Sequence, residues 1–325
     1  MTNFFTGIEI AKRHVNFFLA DSSYRIKGTH RVSLPAHMHA AKFIEELENG
    51  FNETMKKSSV PANRVAAISV SVPGTLNHKS GTVINSTVMP WLQGLNIKEE
   101  LGTRLKKLII PDTEANVRTF IEHKLGSAAR YNNFIQILLL ESWISAGIYI
   151  NNSLLRSRNG SAHELGHVIV EPHGRKCSCS QRGCLEEYAS SDAVIRYYLK
   201  HRKQASRNTI ALNDLLRLAG SSDFAAINAF YKMGNYLGIA LINIINIVKP
   251  YAVIFSGDFS KGLNFFLPAV KSTIDFRSFY DSADNIAYQK STLGNDAVKL
   301  GLVHLAKDTY TNAYNLKVCD DIFII

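Results

Sequence analysis

The sequence predicts an α/β protein built from two related lobes. Short runs of β-branched and apolar residues alternate with longer segments of helical apolar spacing. The opening pattern, a pair of strands joined by a tight turn, restarts near residue 134. A length of 325 residues accommodates two domains, each with its own core.

Thr6 to Ile10 and Val15 to Ala20 read as two strands separated by a short turn, with a third near Gly28 to Ser33. Residues 37–57 carry apolar positions at helical spacing. Ala66 to Val72 is a β-branched strand that ends at the turn signal Pro73-Gly74. A helix near 96–106, a strand at Leu108 to Ile110 and a helix from Glu114 to Lys124 follow. Phe134 to Leu140 and Ala146 to Ile150 then repeat the opening pair, with Asn151-Asn152 as the hairpin turn. Helices are expected near 184–203, 209–219 and 223–248. Lys249-Pro250 ends the last of these ahead of a strand at Tyr251 to Ser256. A final helix spans about 295–313. In folds of this kind ligands sit at the carboxyl ends of the strands.

Hydrophobic residues make up 46% of the chain and charged residues 20%, an ordinary globular balance. No uncharged apolar run is long enough to span a bilayer, and the N-terminus lacks the pattern of a secretion signal. The formal charge of +10 permits anionic partners. Its densest patch, Lys200-His201-Arg202-Lys203 with Arg207, reads as a solvated helix end, because no groove-entering motif accompanies it. Clustered cysteines and a lone Cys319 do not make a disulfide framework, so a reducing cytoplasm is expected.

Three of the four cysteines fall within eight positions, as His167-x9-Cys177-Ser178-Cys179-x4-Cys184. Three thiolates and one imidazole complete a tetrahedral shell, and a shell without a vacancy holds zinc structurally. Gly183 permits the tight backbone such a loop needs. The alternative is a set of buried thiols beside a packed histidine. Spacing this compact favours the structural zinc site.

These residues, together with Asn159 to His167, Val170-Glu171-Pro172-His173-Gly174 and Gly183-Cys184-Leu185-Glu186, resemble the signature of the ROK family of repressors, open reading frames and sugar kinases. The wording before the cysteines is most similar to repressors of the N-acetylglucosamine and glucose-uptake type. Val72-Pro73-Gly74 with Gly81, Glu122 with Leu125-Gly126, Gly234 to Gly238, and Leu293 to Ala297 extend the resemblance along the chain. It implies an actin-like, hexokinase-type (ribonuclease H-like) two-lobe fold carrying a zinc loop. The lobes are expected at 1–115, completed by about 295–325, and at 116–294. A dimer or tetramer is implied as well. In the family, residues matching Glu164, His167 and Glu186 contact sugar hydroxyls, with zinc on one imidazole nitrogen of His167 and the other nitrogen left for the ligand.

Phosphoryl transfer from ATP requires backbone amides near the phosphates, a base at the attacking hydroxyl, and Mg²⁺. The resemblance places the first phosphate loop at Glu9-Ile10-Ala11-Lys12-Arg13, where the family's glycines and threonine are missing. The second falls at Glu141 to Gly147, where a carboxylate and an indole replace glycines. The catalytic aspartate's position holds Glu114, longer by one methylene, with Asp112 nearby; a misplacement of ~1 Å can cost ~100-fold in rate. His163 stands where the family has glycine. The expected function is a regulatory or sensor protein for a sugar or sugar phosphate, derived from a sugar kinase. An ATP- and Mg²⁺-dependent hexose or amino-sugar kinase with Glu114 as base is the first alternative. The effector body of a transcriptional repressor is the second. The first strand begins almost at Met1, leaving no room for a winged helix, so direct DNA binding is not expected.

Overall fold

A computed structural model describes residues 3–140, 143–156, 158, 164–202, 210–279 and 285–322, with side chains described as far as residue 313. Phe4–Ala11 (β1) and His14–Asp21 (β2) pair antiparallel, with Ala11 opposite His14 and only Lys12 and Arg13 in the turn. Ile26–Ser33 (β3) adds to β2. Ala40–Lys57 (α1) then leads to Val65–Val72 (β4), which lies parallel to β1 as the helical crossover requires. A two-stranded ribbon, Thr75–Asn77 (β5) with Thr82–Asn85 (β6), and Ile97–Leu105 (α2) precede Leu108–Thr113 (β7), parallel to β4. Glu114–Leu125 (α3) follows directly. The first sheet therefore runs β3-β2-β1-β4-β7.

The second half repeats this topology. Phe134–Leu139 (β8), Ile144–Ile150 (β9) and Ser153–Leu154 (β10) form the meander; both Asn151 (φ 51°) and Asn152 (φ 59°) adopt the positive φ that a two-residue hairpin demands. Glu186–Ala189 (α4), Ser191–His201 (α5), Leu212–Gly220 (α6) and Phe224–Val248 (α7) lead to Ala252–Ser256 (β11). Leu263–Arg277 (α8), Ala287–Lys290 (β12) and Ala297–Ile322 (α9) complete the chain. The second sheet runs β10-β9-β8-β11-β12, with β8, β11 and β12 parallel. The restart in the sequence thus corresponds to a duplicated sheet.

The chain divides into two units. One holds Met1–Lys124, Arg156–Ala162 and Asn295–Ile325; the other holds Leu125–Leu155 and His163–Gly294. In the first unit, Ile8, Phe17, Ile68 and Val70 pack with Phe43, Leu47 and Phe51 of α1 on one sheet face. Phe5, Ala67 and Ile110 meet Val117 of α3 and Val298 and Leu302 of α9 on the other. Gly7 keeps that second layer close, since a Cβ there would lie 2.6 Å from the Leu302 Cβ. In the second unit, α7 packs along α8 at Gly234 and Gly238; a Cβ on Gly234 would meet the Phe266 carbonyl oxygen at 2.4 Å.

Several elements depart from the sequence expectation. The helix expected over 184–203 is two helices, because Ser190 is extended (ψ 171°) and its side chain caps α5 at the Ala193 amide. β7 runs three residues further than expected, to Thr113, which puts Asp112 inside the sheet. α8, β12 and the β5–β6 ribbon were not anticipated; α8 contains Pro268 and lacks a clear apolar stripe. Among the described residues no helix is long and apolar enough to cross a membrane. The basic residues Lys203 and Arg207 lie outside the described residues, as does the side chain of Cys319.

Candidate functional site

Two short segments of the second unit pair to build the cysteine loop. The Leu185 amide donates to the Val168 carbonyl at 2.9 Å and the Val170 amide to the Gly183 carbonyl at 2.8 Å, so 168–170 and 183–185 lie antiparallel. Between them, Lys176 bridges Arg182, the Cys177 amide donates to Gln181 and the Ser180 amide donates to Cys177, which closes a narrow turn. Gly183 sits at φ +78°, and a Cβ there would lie 1.8 Å from the Glu171 carbonyl oxygen. No other residue type fits that position.

This pairing brings His167, Cys177, Cys179 and Cys184 together, with one ligand atom from each within 4.8 Å of all the others. The Cys179 and Cys184 sulfurs are 3.6 Å apart, and Cys177 Sγ is 3.8 Å from His167 Nδ1. A tetrahedron of ~2.3 Å metal–sulfur bonds has edges of about 3.8 Å, so the donors already have the spacing of a four-coordinate shell. Without a cation, burial pushes the Cys184 thiol up to about 12, reinforced by its neighbouring thiols. A bound metal ion reverses that preference by taking the thiolate. The group can hold a metal.

The same pairing positions the three residues singled out for sugar contact. Glu164 precedes the short 3-10 turn Leu165–His167, and Glu186 opens α4 two residues after Cys184. Glu186 is half-buried and accepts from the Ile144 amide at 3.4 Å. Burial pushes its carboxyl up, while His167 and the Ile144 amide pull it down and Glu187 and Glu164 push it up again. Glu164, His167 and Glu186 therefore lie within electrostatic reach of one another. Gly166 is needed between them, because a Cβ there would approach the Ile144 carbonyl oxygen to 2.6 Å and Glu186 Oε2 to 3.1 Å. With Nδ1 of His167 turned toward Cys177, Nε2 is the nitrogen left for other partners.

The first unit carries a second polar group. In register across the whole sheet lie Arg31, Asn16, Glu9, Ser71 and Asp112, a polar row on the face covered by α3 and α9, near the carboxyl ends of β1, β4 and β7. Asn16 Nδ2 donates to Glu9 Oε2 at 2.7 Å. Burial pushes the Glu9 carboxyl up; Asn16 opposes this, Glu114 adds to it, and Arg118 and Arg31 oppose it. Glu114, the first residue of α3, takes a 2.7 Å hydrogen bond from Arg118 Nε one turn on. Asp112 is buried and held by Arg156 (2.6 and 3.2 Å), by Asn116 Nδ2 at 2.7 Å and by the Thr113 amide at 2.8 Å.

Sequence reasoning placed Glu114 but missed Arg118 and Arg156. An i, i+4 acid–base pair at a helix start signals the first; no local pattern signals the second, 44 residues from its partner. Of the two phosphate-loop stretches, Lys12 and Arg13 form an exposed hairpin turn. Glu141 and Ser142 lie outside the described residues, as do Asn159 to His163; Trp143 is half-buried just ahead of β9.

Against known proteins, the chain is 26% identical over 310 residues to the xylose repressor of Bacillus subtilis, covering 94% of this chain and 77% of the repressor. Its fold matches a ROK family transcriptional regulator homologous to the Escherichia coli MLC protein (TM-score 0.88, 20% identity, 98% of this chain and 81% of that one). It also matches a ROK family glucokinase from Streptomyces griseus in complex with glucose and AMPPNP (TM-score 0.76, 22% identity, 95% of this chain and 100% of that one). These likenesses establish the actin-like, hexokinase-type two-lobe fold, and a family model described as ROK family matches residues 5–309: the chain belongs to the ROK family.

Proposed function

We propose that this chain is a sugar- or sugar-phosphate-binding regulatory protein, with a structural zinc ion and without efficient phosphoryl transfer. Glu164 and Glu186 supply carboxylates that accept hydrogen bonds from vicinal hydroxyls, and charge-assisted bonds of this kind are roughly twice as strong as neutral ones. Zinc fits the Cys3His donor set. When bound, it fixes the orientation of His167, and the hydrogen bonds of the loop extend that order to Glu186.

The observation that carries the non-kinase reading is the 2.7 Å contact from Arg118 Nε to Glu114 Oε1, with both side chains largely buried (11% and 25% exposed). A general base needs a lone pair free to face the attacking hydroxyl. Here a guanidinium already occupies one of the two carboxylate oxygens. The Lys12–Arg13 turn, with side chains in place of glycines, supports the same reading. A triphosphate is best held by oriented amides that nothing obstructs.

Similarity over 94% of this chain and 77% of the xylose repressor favours a regulatory role, acting in the cytoplasm as a homo-oligomer. The test is calorimetric titration of the metal-loaded protein with hexoses, pentoses, amino sugars and their phosphates, beside a coupled ADP-release assay with Mg-ATP. Binding of at least one sugar without ADP release, weakened by Glu186→Gln, is the expected result. Turnover that disappears in Glu114→Gln assigns the chain to the kinases instead. Absence of any binding removes the sugar reading.

A further inference from the structure

The three loop cysteines differ in access. Cys177 and Cys184 are buried, whereas Cys179 is exposed on the narrow turn closed at Cys177 and Gln181. Its sulfur lies 3.6 Å from that of Cys184. A disulfide needs about 2.05 Å, so side-chain rotation in the turn has little distance to close. Arg175, Lys176 and Arg182 flank the turn and are exposed. Solvent therefore reaches this sulfur across a basic surface.

We propose that Cys179 and Cys184 form a redox modification site, at which a hydroperoxide joins them as a disulfide and the loop loses its metal. Cys179 sulfur attacks the peroxide O–O bond, taking the hydroxyl as a sulfenic acid and expelling water, or an alcohol from an organic peroxide. Cys184 sulfur then attacks Cys179 sulfur, forms the S–S bond and expels hydroxide, which leaves as water after taking a proton. Two thiolates give up two electrons in total, and one peroxide accepts them. Only His167 and Cys177 remain as donors, half of what a four-coordinate ion requires. Because His167 is thereby freed and Glu186 follows Cys184 by two residues, ligand affinity falls with the metal. That last consequence rests on the sugar-binding reading; the oxidation itself does not.

The test uses the full chain with Cys319→Ser, so that only loop thiols remain, purified with its metal and titrated with hydrogen peroxide. Peptide mapping, release of zinc to a chromophoric chelator, and sugar affinity are followed together. The expected result is a Cys179–Cys184 disulfide formed in step with zinc release, a sugar affinity reduced by roughly tenfold or more, and recovery on adding dithiothreitol and zinc. Disulfide formation and zinc release with unchanged sugar affinity uphold the redox site and remove Glu186 and His167 as ligand contacts. The proposal is overturned if the thiols stay reduced at peroxide doses that oxidise free cysteine, or if zinc leaves with Cys179 over-oxidised and unpaired.

Discussion

Gly183→Ala is the sharpest structural test of the cysteine loop. The added methyl forces two separate costs. Placing an L-residue at φ +78° costs about 1–2 kcal/mol. The Cβ would also stand 1.8 Å from the Glu171 carbonyl oxygen, a backbone atom that no side-chain rotation can move away. Relieving that overlap separates 170–171 from 183, where Val170 and Glu171 both donate to the Gly183 carbonyl and Gly183 donates to Arg175. Losing two of those bonds, at ~1 kcal/mol net each, brings the total to about 3–4 kcal/mol. Gly94→Ala is the matched control: its φ is +83°, but nothing lies within 4 Å of the new methyl, so only the conformational cost applies. Urea unfolding of both variants, read beside their metal content, isolates the overlap. Gly183→Ala should lose about 2 kcal/mol more than Gly94→Ala and should bind less metal. Equal losses, with full metal content in both, would refute the close approach at Gly183 and with it the geometry of the loop.

Glu9 makes stability depend on pH. Its carboxyl is raised by burial, so the native state holds the proton more tightly than the unfolded chain does. Stability contributed by that proton is present below the ordinary value of 4.5 and is lost as pH climbs through the raised one; Glu9→Gln should flatten this decline in denaturant midpoints measured across the window. Arg156→Met strips the buried Asp112 carboxylate of its arginine and should cost about 3 kcal/mol, with most of the loss recovered when Asp112→Asn is added, as a double-mutant cycle would record. Removing metal with a strong chelator should lower the thermal midpoint and abolish sugar binding together, and zinc should restore both; a midpoint indifferent to chelation argues against a structural ion.

The duplicated sheet was legible because each strand announces itself locally. AAISVSV at 66–72 and the Asn151-Asn152 turn need no tertiary context to be read. α8 was hidden by Pro268, and the break at Ser190 by continuous apolar spacing on either side of it. The Cys3His cluster that could hold a metal was readable because loop closure confines it to one short stretch, so spacing alone constrains its geometry. The environment of Glu114 was not. Its role depends on Arg118, a neighbour visible only once the first turn of α3 is fixed, and on Glu9, brought alongside by the pairing of distant strands. Family likeness pointed to the position but was silent about its neighbours.

Those neighbours follow a physical logic running through the first unit. The polar row from Arg31 to Asp112 sits where a parallel sheet ordinarily opens its strand ends to a ligand. In this chain its acids, and Glu114 at the adjoining start of α3, are answered internally: Asn16 on Glu9, Arg118 on Glu114, and Arg156 with Asn116 on Asp112. An incoming Mg²⁺ or hydroxyl would have to displace partners already at 2.6–2.7 Å, trading a formed charge-assisted bond for a new one of similar strength. Glu186 in the second unit instead accepts a longer bond, 3.4 Å from the Ile144 amide. On the proposed reading, a polyol therefore displaces less by binding at Glu186 than a nucleotide-bound metal displaces at Glu114, and that difference favours sensing over phosphoryl transfer.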